Sequence, residues 1–426
     1  MRCRILVLTR KPIPVEEAVQ KLAAVSKQLS NETIHLEDSF GRVLANDLYA
    51  THPIPSYTRS PYDGYAIPSM STSKAEKGHS VFLEIVGTVG RENEWSGTIK
   101  EGQAVKVMTG SPLPNGADSV IMTERAKVVE KPGEKYIEIR RPVSKGENVS
   151  QIGEDIKENQ LLVKKGTVLN PGIIASLATF GYNNITVTRK PKVGIIAAGN
   201  NLSNLEEPLQ FGKVRNSNTY MLIAQCNRCR MDPHNYGQIG NQLDNAIEKI
   251  RNVLNETDVV ITTGGISVGD DDDMPRIYKE LGAKVLFNKI AMRPGSITSA
   301  AVIHNKLLIG LSGNPAACYV GFELFARPVI KMMLGQSKPF IKRTQAILHK
   351  DFPKPSPVTR FVRGKISFCD GKIYVEPSGK DKSNMVSSLL ESNSFIVLQA
   401  GTKGYSAGSL VDVLLLEDKE GNETWL

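Results

Sequence analysis

Three apolar runs that each stop at a glycine turn constrain the fold more than any other feature of the chain. They are "KVGIIAAG" (192–199), "DVVITTGG" (258–265) and "KLLIGLSG" (306–313). Each is short and apolar, so each reads as a strand buried on both faces. Helical patterns lie between and after them: "NTYMLIAQCNRC", "LDNAIEKIRNVLNE", "MPRIYKELG" and the long "PAACYVGFELFARPVIKMML". Strands alternating with helices over 191–335 predict a doubly wound α/β domain with a mainly parallel sheet. Ligands of such sheets bind outside the carboxyl ends of the strands. The turns "AAGN" (197–200), "TTGG" (262–265) and "LSGNPA" (311–316) therefore define a rim. Glycine lets backbone N–H groups come close to an anion, and a following helix start adds a favourable field. A phosphate or pyrophosphate is the natural guest. No Walker A motif and no G-x-G-x-x-G is present, which argues against ordinary ATPase and dinucleotide readings.

The flanks have a different texture. Pro14 followed by Val15, Ala18, Val19, Leu22 and Leu29 predicts an N-terminal amphipathic helix, and 33–50 a short strand and helix. From about 52 to 143, Gly, Pro and Ser interrupt short apolar runs such as "VFLEIVG", "AVKVMTG", "SVIMTE" and "YIEIR", which predicts mostly β structure. A helix is expected from Asn170-Pro171 to Gly181, with Ile173, Ile174, Leu177 and Ala178 on one face. After the link "KDFPKPSPVTR" the chain turns β-rich, with a hairpin around Asp370-Gly371. At roughly 150 residues per domain, 426 residues suggest about three domains.

Composition narrows the partners. The formal net charge is +9, but the basic residues are dispersed and aromatics are only 6%. A small phosphorylated molecule fits that better than nucleic acid. Five cysteines are thinly spread, as expected for a reducing compartment. Cys226 and Cys229 have zinc or redox spacing, yet no second pair or nearby His accompanies them, so they read as structural. The N-terminal apolar run is too short for a signal peptide, and no segment approaches the roughly 18 apolar residues of a membrane span. The expectation is a soluble, cytoplasmic protein with no nucleic-acid or membrane partner.

The run "TTGGISVGDDDDM" (262–274) places four aspartates after the second turn. Mg²⁺ takes one or two carboxylates plus waters and phosphate oxygens, so one of them can serve a metal. Four consecutive side chains point in different directions, and acids also suit a helix start. Composition leaves both readings open for each.

"SPYDGYA", "MTGSPLPNGADSVI", "GENVSQIGEDI", "TTGGISVGDDDD", "LSGNPAA" and "SGKDKSNMVSSL" occur in the order and spacing of one family's motifs. In combination they resemble the MoeA/gephyrin E-domain family, the molybdopterin molybdenumtransferases, from about residue 10 to the end. The resemblance implies an α/β multidomain, elongated homodimer. It implies a discontinuous linker and dimerisation subdomain (10–50 and 144–190), a β-rich insert (51–143), an α/β molybdopterin-binding domain (191–338) and a C-terminal β-barrel-like subdomain (339–426). The active cleft of such proteins lies between the α/β part of one protomer and the β-rich part of the other. The implied reaction consumes adenylylated molybdopterin and molybdate with Mg²⁺, hydrolyses the adenylate and places molybdenum on the dithiolene. Implied partners are the molybdopterin adenylyltransferase and recipient apo-molybdoenzymes.

Carried over by position, Asp63, Thr109, Asp155 and Asp272 are the implied catalytic residues, with Asp272 the metal carboxylate. Gly199, Gly264, Gly265, Ser267, Ser312, Gly313, Asn314 and Pro315 are implied to bind substrate, and Arg293, Arg360, Arg363 and Ser383 to bind its anionic parts. Some positions depart from the family pattern. Asn200 and Asn201 stand where an acidic pair is usual, Asn241-Gln242 where Asp-Asp is common, and Ser296 where a second lysine is usual. Amides cannot neutralise Mg²⁺ or act as bases. Two readings follow: a working insertase with a retuned site, or a weakened paralogue that binds or carries the cofactor.

Overall fold

The structure, a computed structural model, describes residues 11–76, 79–90, 95–131, 133–240, 242–264, 274–416 and 424. Contacts divide the chain into two units, a larger one of 1–46, 165–174 and 183–426 and a smaller one of 47–164 and 175–182.

In the larger unit the glycine-ended runs form the centre of a six-stranded sheet. Its order is Asp232–Ile239, Lys192–Ala198, Val259–Gly264, Lys306–Leu311, Ser299–Ile303, Lys284–Phe287. The first four strands are parallel and the last two each run antiparallel to their neighbour. The tight hairpin from Ser299–Ile303 into Lys306–Leu311 was not expected. Its turn residues His304 and Asn305 have φ of 48° and 66°, the left-handed pair that a two-residue hairpin needs, without the usual Asn-Gly signal.

Alternation along the central strands puts helices on both faces. Val193, Ile195, Val259, Ile261, Leu307 and Ile309 join one core. Ile196, Val260 and Leu308 join a second with Ile247, Ile250, Leu254, Ile277 and Tyr278. The helix Val15–Val25 adds Val15, Ala18, Val19 and Leu22 to the first, at the expected i, i+3, i+4, i+7 spacing. Each such aliphatic side chain contributes about 1.5–3 kcal/mol by leaving water.

The long C-terminal helical pattern is three pieces: Pro315–Gly321, a wide π turn Phe322–Ala326, and Arg327–Met333. Pro328 has no N–H to continue the usual ladder, which accounts for the local rewinding. Five strands then close a barrel. Thr359–Cys369 pairs with both Lys372–Pro377 and Ser394–Leu398, and Arg343–Leu348 and Leu410–Leu415 complete the ring. The expected Asp370-Gly371 turn is there, with φ of 48° and 71°. Phe361, Phe395 and Leu414 of the barrel share the first core with Phe322 and Phe325.

The smaller unit holds a six-stranded, mainly antiparallel sheet in the order Ser119–Met122, Gly64–Ile67, Gln103–Val107, Val81–Val89, Glu134–Ile139, Lys127–Lys131. Residues 144–164 and 47–50 belong to this unit. The helix Pro171–Thr179 departs from its expected face. Leu177 is buried, Ile173 and Ile174 are half-buried, and Ala178 is exposed. Among the described residues no helix is long and apolar enough to cross a membrane.

Candidate functional site

The three strand-end turns meet backbone to backbone. Gly264 ends its strand at φ +86°, where a Cβ would lie 2.2 Å from the Ala198 carbonyl oxygen. Backbone cannot yield there, so only glycine fits. A Cβ on Gly313 would lie 3.2 Å from Gly264 Cα. Gly199, Gly264 and the Ser312–Pro315 run are thus parts of one rim. Ser312 is buried and its Oγ accepts a hydrogen bond from Asn314 N–H at 3.2 Å, shaping the turn that leads into helix Pro315–Gly321. Gly313 and Asn314 are exposed.

A residue the sequence reading passed over holds this rim together. The helix Ser217–Arg228 starts at an Asn216 cap, whose Oδ1 accepts from Thr219 N–H. That places buried Asn218 beneath two of the turns. Its Nδ2 donates to Thr263 Oγ1 at 2.8 Å and to the Gly313 carbonyl at 3.0 Å. Thr263 Oγ1 donates onward to the Ser312 carbonyl at 3.1 Å. Asn218 Oδ1 is buried and has no partner among the described residues. Leaving an acceptor unpaired costs about 1–3 kcal/mol, so the clamp is kept against a penalty. The signal was present in "RNSN", two asparagines at a helix start.

The arginines gather at the join of sheet and barrel. A short parallel ladder pairs Met292 with Thr359 and Arg293 with Arg360. Arg293 is exposed, whereas Arg360 and Arg363 are buried. Asp381 lies between the buried pair: Arg360 Nη1 donates to Oδ2 at 2.7 Å and Arg363 Nη1 to Oδ1 at 3.0 Å. Arg363 also donates to Ser388 Oγ at 3.1 Å and to the Lys382 carbonyl at 3.0 Å. Burial pulls the Arg363 pKa down; Asp381 opposes this and the Arg360 charge adds to it. The Ser383 carbonyl accepts from Ala316 N–H at 3.1 Å, tying this loop to the helix that begins at Pro315. The acid within "SGKDKSN" was the overlooked signal for Asp381.

The smaller unit brings Asp63 and Thr109 together. Thr109 N–H and Oγ1 both donate to Asp63 Oδ1, at 2.6 and 2.8 Å. Both residues are exposed. Ser60 and Gly110 lock the two turns, with Gly110 N–H donating to the Ser60 carbonyl at 2.8 Å. Asp155 is exposed, and its N–H donates to the Ile54 carbonyl at 3.0 Å. Gly265, Ser267, Asp272 and Asn241 lie outside the described residues. Among the described residues no three His, Cys, Asp or Glu side chains converge as a metal site. Cys226 and Cys229 are free and buried, and burial pushes both thiols up, so neither is a thiolate at neutral pH.

Comparison with known proteins agrees over almost the whole chain. Residues 13–181 match the MoeA N-terminal region (domain I and II), 194–332 a probable molybdopterin binding domain, and 345–416 the MoeA C-terminal region (domain IV). A molybdopterin molybdenumtransferase of Bacillus subtilis (strain 168) is 45% identical over 414 residues, covering 97% of this chain and 96% of the relative. The chain belongs to the MoeA family. A Staphylococcus aureus (strain COL) molybdopterin molybdenumtransferase is 40% identical, covering 98% of this chain and 99% of the relative. The crystal structure of the molybdopterin biosynthesis MoeA protein from Pyrococcus horikoshii OT3 superposes with a TM-score of 0.81 at 30% identity, covering 95% of this chain and all of that one.

Against the usual MoeA pattern, the amide substitutions fall at one end of the rim. Asn200 Oδ1 lies 3.2 Å from where a Cβ on Gly240 would stand, so the turns at 200 and 240 are neighbours. Asn201 is held by its carbonyl, which accepts from Val214 N–H at 2.8 Å. Gln242 precedes the helix Leu243–Glu256 without a side-chain cap, its Oε1 accepting from Asn245 Nδ2. Ser296 stands in the turn after Arg293, with its carbonyl accepting from Ile290 N–H at 2.7 Å.

Proposed function

We propose that this chain is a molybdopterin molybdenumtransferase of molybdenum cofactor biosynthesis. It binds adenylylated molybdopterin at the glycine rim, hydrolyses the adenylate and places molybdenum from molybdate on the dithiolene. The observation that carries this reading is the backbone contact of Ala198, Gly264 and Gly313. It lines one sheet edge with the close-approach geometry that phosphates require. Arg293, Arg360, Arg363 and Ser383 are assigned to the anionic groups. Asp63, held by the N–H and hydroxyl of Thr109, is assigned to accept a proton from the water whose oxygen bonds phosphorus as the P–O–P link breaks. AMP leaves. Asp155 is assigned to the same chemistry.

The Mg²⁺ requirement is assigned to Asp272. With amides at 200 and 242 in place of acids, the ion would take most of its charge from substrate phosphates. Bound there, Mg²⁺ would neutralise charge on those phosphates. A homodimer and the four-part domain division are assigned from the family. A cytoplasmic location and exchange with the adenylyltransferase and apo-molybdoenzymes complete the proposal.

The test is reconstitution of the purified chain with adenylylated molybdopterin, molybdate and Mg²⁺. The expected result is Mg²⁺-dependent AMP release and activation of an apo-molybdoenzyme. Tight binding without AMP release would instead make the chain a carrier.

A further inference from the structure

We propose that Asp381 is a built-in competitor for the oxyanion at Arg360 and Arg363, so that an anion enters only by taking the carboxylate's place. The proposal rests on the assignment of those arginines to anionic substrate groups. It deepens that assignment by naming the residue that sets affinity there.

The geometry is that of an occupied anion seat. One carboxylate spans two guanidinium groups, with one oxygen at 2.7 Å from Arg360 Nη1 and the other at 3.0 Å from Arg363 Nη1. Side-chain exposures of 10% for Arg360, 1% for Arg363 and 7% for Asp381 put the three charges away from bulk water. There, two cations face one anion. Charge of one sign left over in a poorly hydrated place attracts a counter-ion strongly. The contacts also distinguish the two arginines. Arg363 is anchored outside that loop through Ser388 Oγ, which accepts from its Nε at 3.1 Å, so it keeps its place when Asp381 moves. Arg360 rests over the Phe352 ring, and among the described residues its side chain has no second anchor of the kind Ser388 gives Arg363. An oxyanion has more acceptor oxygens than a carboxylate. By displacing Asp381 it can take both Nη1 donors and keep further oxygens for other donors.

The loop that carries Asp381 is suited to yield. Its flanking residues Lys380 and Lys382 are exposed, and Gly379 starts it at φ +78°. Its far side is tied by the Ser383 carbonyl to Ala316 N–H, next to the substrate turn at Ser312–Pro315. Displacement of Asp381 is thus sensed at the rim. A carboxylate that must be expelled adds the same cost for every anion, so it sets a threshold that only a tightly held oxyanion passes.

The experiment measures molybdate and nitrate binding to the full-length protein by calorimetry, at fixed ionic strength. Asp381→Asn keeps the side-chain shape and removes the competing charge. It is expected to tighten molybdate and nitrate binding by a similar factor, at least about tenfold each. Asp381→Glu, which keeps the charge, is expected to bind molybdate no more tightly than the unaltered chain. Unchanged or weaker molybdate binding in Asp381→Asn would overturn the proposal and leave Asp381 as a structural partner of the arginines. Arg360→Ala tests the underlying assignment separately. Its expected result is loss of molybdate binding; retained binding would show that the anion sits elsewhere, and both statements would fall together.

Discussion

Asn218 shows how a single amide can set the spacing of a binding rim. Its N–H groups reach Thr263 and Gly313, which stand at the ends of different strands. Asn218→Ala is expected to raise KM for adenylylated molybdopterin roughly tenfold with kcat nearly kept, because the lost contacts of about 1–2 kcal/mol hold the turns ready for substrate. Steady-state AMP release separates the two constants, and an unchanged KM would reduce Asn218 to a packing residue. This residue also marks where reading the sequence stops. Gly264 and Gly313 were legible, because an apolar strand that stops at glycine before a helix has few other meanings. Asn218 was not, because its partners lie 45 and 95 residues away and no local pattern joins them. Asp381 was hidden for a related reason: an acid between two lysines reads as solvated surface until the fold brings arginines to it.

At the scale of elements, periodicity carried the α/β layers, the N-terminal helix and the Asp370-Gly371 hairpin. It failed where tertiary context overrides pattern. The His304-Asn305 turn adopts left-handed backbone without glycine, and the helix after Pro315 rewinds at Phe322–Ala326. That π turn puts Glu323 wholly inside the protein. Gln225 Nε2 donates to it at 2.6 Å and Arg327 Nη1 at 2.9 Å, with Arg228 on the same carboxylate. Removing the acid leaves the buried charge of Arg327 without its carboxylate, while Arg228 is partly exposed. Glu323→Ala is therefore expected to cost about 3–5 kcal/mol in urea unfolding. A loss under about 1 kcal/mol would mean that the arginines find other acceptors.

At the scale of the whole molecule, acid should weaken the larger unit through Asp258. Arg189 grips this carboxylate with both Nη atoms at 2.7 Å, and Lys192 N–H donates to it at 2.8 Å. Burial pushes its pKa up, but these partners outweigh burial and hold it below the ordinary 3.8. The folded state then binds fewer protons than the unfolded one just below that value. The stability the bridge supplies is complete above 3.8 and is lost as pH falls through the lower folded value. Asp258→Asn is expected to lower the thermal midpoint by a few degrees at neutral pH, with the gap to the unaltered chain closing steadily under acid. A gap independent of pH would remove the charge from the account. The largest scale also gives meaning to the smallest ladder. Met292 and Arg293 meet Thr359 and Arg360 through two backbone rungs. A strand's side chains alternate, so a slip of one residue would turn a guanidinium to the opposite side. The loops that connect those strands can therefore lengthen or shorten between relatives while Arg293 and Arg360 keep their separation, because a clamp and not a tether measures it.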